Sequence, residues 1–136
     1  MPVVVTGAGS ALGHAVVTAL LQDGVEVRVT VRAREEREWF AQRRVPAAVS
    51  DLSDPLRTGA VLEGAFTVVH LDSPAATWEW LLDAAEETSV RRVLVVAPDP
   101  AVPDAPAHLE VVRLRGDPDT ADPQVVAAVV AADARR

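Results

Sequence analysis

The sequence has no cysteine, no tyrosine and no lysine, and each absence closes a line of chemistry. Without cysteine there are no disulfides, no redox-active thiols and no thiolate-held zinc. Every mechanism that needs a lysine or a tyrosine is excluded. Long hydrophobic runs are missing too, since stretches such as Val93 to Pro98 are far too short to cross a bilayer. Basic charge is scarce, with 13 arginines against 20 acids for a net charge of −7, which argues against a nucleic-acid partner. The start, Met1-Pro2 followed by Val3-Val4-Val5, shows neither a basic segment nor a cleavage site, so a cytoplasmic protein is expected.

What is present suffices for a core. Of the 136 residues 49% are hydrophobic, enough for one domain over 1–136 without metal or disulfide staples, and too few for a separate substrate domain. Charge is uneven: residues 1–50 carry six Arg against five acids, and 51–136 carry seven Arg against fifteen. A phosphate-bearing ligand is therefore expected on the N-terminal half.

Pro2 to Thr6 reads as a short buried strand, because consecutive valines suit a sheet. Ala11 to Leu21 has helical spacing, with Leu12, Ala15, Val16, Ala19 and Leu20 on one stripe. Val25 to Val31 alternates as a second strand, Arg34 to Arg44 reads as a polar helix, and Val45 to Val49 as a third strand. Asp54-Pro55 and Ser73-Pro74 both carry a cap-then-proline signal for a helix start. Between them Phe66 to Leu71 is a fourth, nearly all-apolar strand, as in a parallel sheet covered on both faces. The helix after Pro74 runs through Glu87, and Arg92 to Val96 is a fifth strand. Pro98, Pro100, Pro103 and Pro106 then forbid a long helix over 97–108. Leu109 to Leu114 is a sixth strand, and Asp122-Pro123 opens a last helix. The alternation implies a three-layer Rossmann-type α/β domain, mainly parallel, with strand order 3-2-1-4-5-6, or five strands if the sixth is displaced.

Between the first strand and helix lies Gly7-Ala8-Gly9-Ser10-Ala11-Leu12-Gly13. Such a turn lets backbone approach a pyrophosphate, whose charge meets free N–H groups and the positive end of a helix. Gly7 permits the tight turn, Gly9 the close approach, and Gly13 helix–strand packing. A purely structural turn that has lost its ligand is the competing reading. The chain as a whole resembles the extended and atypical branch of the short-chain dehydrogenase/reductase family, its epimerase-like and NmrA-like members. The likeness rests on Val5 to Gly13, on Val29-Thr30-Val31-Arg32, on Asp51-Leu52-Ser53-Asp54, on Val68-Val69-His70-Leu71, on Leu81 to Ala85, on Arg91 to Val96 and on Val111-Val112-Arg113. Ser10 stands where the family's loop has its middle glycine. The resemblance implies a dinucleotide held by Gly7, Gly9, Ser10, Ala11, Leu12 and Gly13, by Arg32 and Arg34, and by Asp51, Leu52, His70 and Leu71. An acid ending the second strand would take the ribose hydroxyls of NAD, whereas Arg32 there favours the 2′-phosphate of NADP. NADP is therefore expected over NAD.

The family's catalytic serine, tyrosine and lysine are not found. The fifth strand runs into Ala97-Pro98, and the tyrosine–lysine pair cannot exist in this composition. His70 and Asp72, ending the fourth strand, are the remaining candidates for acid–base work. A packed or pocket-lining His70 is the competing reading. His14 is a candidate to touch a diphosphate or to be simply exposed, and His14, His70 and His108 suggest no metal site. Trp78 and Trp80 point to different faces of one helix, so one is expected on the sheet and the other is a candidate for a subunit contact. The expected function is an NADP(H)-binding domain without standard reductase catalysis, a redox sensor or accessory subunit, with a homodimer or larger protein as candidate partner and neither nucleic acid nor membrane. The rivals are an unusual oxidoreductase or isomerase using His70, Asp72 or a partner's residues, and an interaction module with an empty groove.

Overall fold

In the computed structural model, which describes residues 1–135, six parallel strands form one sheet in the order β3-β2-β1-β4-β5-β6. The strands are β1 (Val3–Thr6), β2 (Val27–Val31), β3 (Ala47–Val49), β4 (Thr67–His70), β5 (Arg92–Ala97) and β6 (Glu110–Arg115). Between and after them lie α1 (Ala11–Gln22), α2 (Arg37–Ala41), α3 (Pro55–Leu62), α4 (Pro74–Ala85) and α5 (Pro123–Ala134). The sixth strand is in the sheet, so the five-stranded alternative does not apply.

Two apolar layers follow from strand alternation. Val3 and Val5 point to one face, where they join Leu12, Val16, Leu20, Phe40 and Val129 of α1, α2 and α5. Val4 points to the other, with Leu62, Trp78 and Leu81 of α3 and α4. Each fully buried Val or Leu contributes roughly 1.5–3 kcal/mol, so a β1 buried on both faces anchors the domain. Arg92, itself buried, ties β5 to the end of α5 by donating to the carbonyls of Ala132 and Asp133.

The boundaries differ from the sequence expectation for local reasons. β2 starts at Val27, because the Val25 N–H closes the end of α1 on the Leu20 carbonyl. The helix expected over Arg34 to Arg44 is a 3-10 turn (Arg34–Glu36) followed by α2, and the chain leaves it through Arg44 at φ 59°. Asp54 and Asp122 cap their helices, but the Ser73 side chain caps nothing. Instead the Ser73 carbonyl accepts from the Thr77 hydroxyl. Residues 98–109 contain neither helix nor strand, as four prolines require.

Candidate functional site

β1 and β4 are neighbours whose crossovers leave in opposite directions, one through α1 to β2 and the other through α4 to β5. The crevice beyond their carboxyl ends is where open α/β sheets place ligands. The glycine turn forms its floor. Gly7 has φ +60°, and a Cβ there would lie 2.9 Å from the Asp72 N, so the turn lets the chain leaving β4 cross it. A Cβ at Gly13 would lie 2.3 Å from the Ala8 carbonyl oxygen, which fixes α1 tightly against the turn. Thr30 of β2 holds the turn from the other side, receiving N–H bonds from Gly7 on its hydroxyl and from Ala8 on its carbonyl.

The N-terminal amides of α1 divide into used and free. Gly13 N–H is capped by Ser10 Oγ at 3.0 Å, and Leu12 N–H donates to the Pro118 carbonyl at 3.0 Å. Gly9, Ser10 and Ala11 have no acceptor among the described residues. Three adjacent donors at the positive end of a twelve-residue helix are a seat for an anion. Pro118, on the loop between β6 and α5, was not singled out by the sequence, and no local motif connects it to α1.

At the lip, Arg32 donates to Asp72 Oδ1 at 3.0 Å, its own side chain 56% exposed and that of Asp72 only 5%. Asp72 Oδ2 has no partner among the described residues. Burial pushes the Asp72 carboxyl above the usual range against the pull of Arg32, and the charges of Asp51 and Glu36 add to the rise. Glu36, like Pro118, was not singled out by the sequence. Its Oε1 accepts from the backbone N–H of Arg32 at 3.0 Å and of Ala33 at 2.8 Å. Its Oε2 sits over Gly9, 1.8 Å from where a Cβ would be. A glutamate at the third position of a helical turn is half of a capping box, but Ala33 in place of a hydroxyl residue hid the signal. Arg34 is exposed at the first position of that turn. Asp51 is exposed and accepts from Ser53, which lowers its pKa, while Leu52 is buried at φ 73°.

The structure does not bring His70 to the groove. The ring is fully buried between two threonines, with Nδ1 2.7 Å from Thr6 Oγ1 and Nε2 2.9 Å from Thr77 Oγ1. The Thr77 hydroxyl already donates to Ser73, so it accepts from Nε2–H, and Nδ1 accepts from Thr6. Desolvation lowers this pKa to about 4. His14 is half-buried and stacks on Trp39 at 3.9 Å, with the Arg43 guanidinium also 3.6 Å from the Trp39 ring centre. Trp78 is buried and Trp80 is 43% exposed, the division expected of them. Leu71 and Asp72 line a cavity of about 390 Å³ that continues to Ala97, Pro98, Asp99 and Pro118. Among the described residues no cluster of three or more His, Asp or Glu could hold a metal, and no helix is long and apolar enough to cross a membrane.

A protein-family model described as NAD(P)H-binding matches residues 7–114. No curated protein matches the chain. Among solved structures it is similar to a putative epimerase of Bacteroides thetaiotaomicron, with 24% identity and a TM-score of 0.60 over 71% of this chain and 46% of that one. It is similar to an NADPH-dependent quinone oxidoreductase of Escherichia coli in complex with NADPH, at 19% identity and TM-score 0.61 over 70% of this chain and 36% of that one. A short-chain dehydrogenase/reductase superfamily protein of Agrobacterium tumefaciens with bound NAD gives 26% identity and TM-score 0.54 over 71% of this chain and 32% of that one. The chain thus spans less than half the length of each.

Proposed function

The chain belongs to the NAD(P)H-binding family, and from that premise we propose that it holds a nicotinamide dinucleotide without carrying out the reductase chemistry of its larger structural neighbours. The observation that carries the reading is the row of free amides at Gly9, Ser10 and Ala11 where β1 turns into α1. These residues would hold the diphosphate, and the ribose next to the adenine would lie toward Arg32 and Asp72. The bound nicotinamide would supply or take up a hydride. The residues around it bind and orient, and of the two carboxylates that line the 390 Å³ cavity, Asp72 and Asp99, it is Asp72 that is buried against the glycine turn. A redox-state sensor or an accessory subunit of the cytoplasm fits such a domain, with Trp80 exposed for a second copy or a larger partner. Arg32 gives NADP one attractive group, which a 2′-phosphate would have to win from Asp72.

The test removes one amide while leaving the fold alone. Ala11 is the first residue of α1, a position that proline favours, and Ser10 before it is already extended at φ −85° and ψ 167°. A11P should therefore melt close to wild type. Losing a hydrogen bond to a charged group costs about 1.5–3 kcal/mol, so calorimetric titration should show dinucleotide affinity falling roughly tenfold or more. Unchanged affinity in A11P would reject the seat, and failure of wild type to bind either NAD(H) or NADP(H) would reject the function.

A further inference from the structure

Three carboxylates surround Arg32, and their unused oxygens decide what the groove can accept. Oε1 of Glu36 occupies the backbone N–H groups of Arg32 and Ala33, which would otherwise be free to receive an anion at the end of β2. Its Oε2 covers the Cα of Gly9 and has no hydrogen-bond donor among the described residues. Asp72, 95% buried by its 5% exposure, takes the guanidinium of Arg32 on Oδ1 and leaves Oδ2 unpartnered beside the cavity. Asp51 adds a further negative charge close enough to be felt at Asp72. The cation that invites a phosphate is thus already paired, and its amides already hold a carboxylate. Two acceptor oxygens remain, Asp72 Oδ2 buried without a partner and Glu36 Oε2 without a protein donor among the described residues.

Resting on the dinucleotide reading above, we propose that Glu36 sets the cofactor class of this groove, admitting a nucleotide whose adenosine ribose carries free hydroxyls and excluding one with a 2′-phosphate. Hydroxyl groups are donors, and the free oxygens of Glu36 and Asp72 are acceptors, so a ribose diol satisfies both. A 2′-phosphate brings about two negative charges to the same place and offers no donor at neutral pH. It would have to displace Glu36 from two amides and Asp72 from Arg32. Unlike the acid that ends the second strand in NAD-binding relatives of this architecture, Glu36 comes from the following turn and reaches back past an arginine. On this assignment the arginine alone does not set the cofactor.

The experiment is a set of calorimetric titrations of NAD⁺ and NADP⁺, and of ADP-ribose with and without its 2′-phosphate, into wild type, E36Q and E36A. Wild type should bind the unphosphorylated member of each pair about tenfold or more tightly. E36Q keeps an amide oxygen for the Arg32 and Ala33 N–H groups but removes the charge, and should narrow the ratio several-fold. E36A frees both amides and should bring it to one or invert it. A wild-type preference for NADP⁺, or a ratio unmoved in both variants, overturns the assignment while leaving dinucleotide binding standing. Absence of binding by all four nucleotides removes the dinucleotide reading, and this inference with it. Circular dichroism melts of the variants within a few degrees of wild type exclude a folding effect, and E36Q keeps the comparison available if E36A unfolds.

Discussion

At neutral pH the His70 ring carries no charge, because it is fully buried with both nitrogens engaged by threonines, and desolvation lowers its pKa to about 4. The hydrogen-bond chain has a direction: Leu71 N–H to Thr6 Oγ1, Thr6 O–H to Nδ1, Nε2–H to Thr77 Oγ1, and Thr77 O–H to the Ser73 carbonyl. A proton added to Nδ1 would need Thr6 to turn its hydroxyl round, and would place a charge beside Trp78 in the apolar layer. The folded-state pKa of about 4 lies below the unfolded value of 6.5. The stabilisation by His70 is therefore complete above pH 6.5 and is lost as pH falls toward 4, because the unfolded chain takes the proton first. The span corresponds to roughly 3 kcal/mol at most. Asp72 opposes it at the acid end: its raised pKa gives a stabilisation present below 3.8 and lost as pH rises through the folded value. Urea unfolding of wild type between pH 7 and 4 should show stability falling, and H70L should lack that part of the slope. H70L will also start lower at pH 7, since Thr6 loses its acceptor. Equal slopes in the two proteins would show that His70 is not the titrating group.

Helix starts separate what the sequence declares from what only the fold reveals. Asp54 accepts from Leu56 and Arg57 N–H and Asp122 accepts from Gln124 N–H, whereas the identical signal at Ser73-Pro74 yields no side-chain cap. Thr77 has drawn the Ser73 carbonyl into the His70 network, a tertiary demand that no local motif encodes. D54A should therefore lower stability by about 1 kcal/mol and S73A by almost nothing, as measured by urea midpoints. An equal loss in both would mean that Ser73 caps α4 in solution. The same division runs through the whole reading. Strand order, the glycine turn and the prolines of 98–109 were legible, because each rests on local periodicity or a backbone constraint. Arg32 was found, but its pairing with Asp72, forty positions away, was not. Pro118 was invisible for the same reason, since it acts through Leu12, and Glu36 was hidden twice: locally by Ala33 in the capping position, and in the crevice by its approach to Gly9.

Taken whole, the domain offers a place for a dinucleotide but few means of using it on a carbonyl. Hydride transfer leaves charge on the substrate oxygen, and a positioned acid or donor must meet that charge as it develops. The sequence has no tyrosine and no lysine to do so. Ala97-Pro98 ends β5 where the resembled family places its serine, and His70 is sealed between Thr6 and Thr77. That leaves two carboxylates on the 390 Å³ cavity: Asp99, which accepts from the Ala101 N–H, and Asp72, whose pKa is raised by burial but whose Oδ1 is held by Arg32. The cavity walls contributed by Ala97, Pro98, Ala101 and Pro118 are apolar, and the polar side chains that line it besides Asp72 are Ser73 and Asp99, with no tyrosine or lysine beside them. Removing water would strengthen whatever polar contacts remain, and here these are limited to Asp72, Ser73 and Asp99. This chain by itself should therefore turn over aldehydes, ketones and nucleotide-sugar intermediates below about 0.1 per second, a tenth of the low end of ordinary enzyme turnover. The readout is consumption of reduced nicotinamide followed by its absorbance, with D72N as the paired control. Saturable turnover above that level in wild type would end the non-catalytic reading, and its loss in D72N with dinucleotide affinity retained would identify Asp72 as the acid.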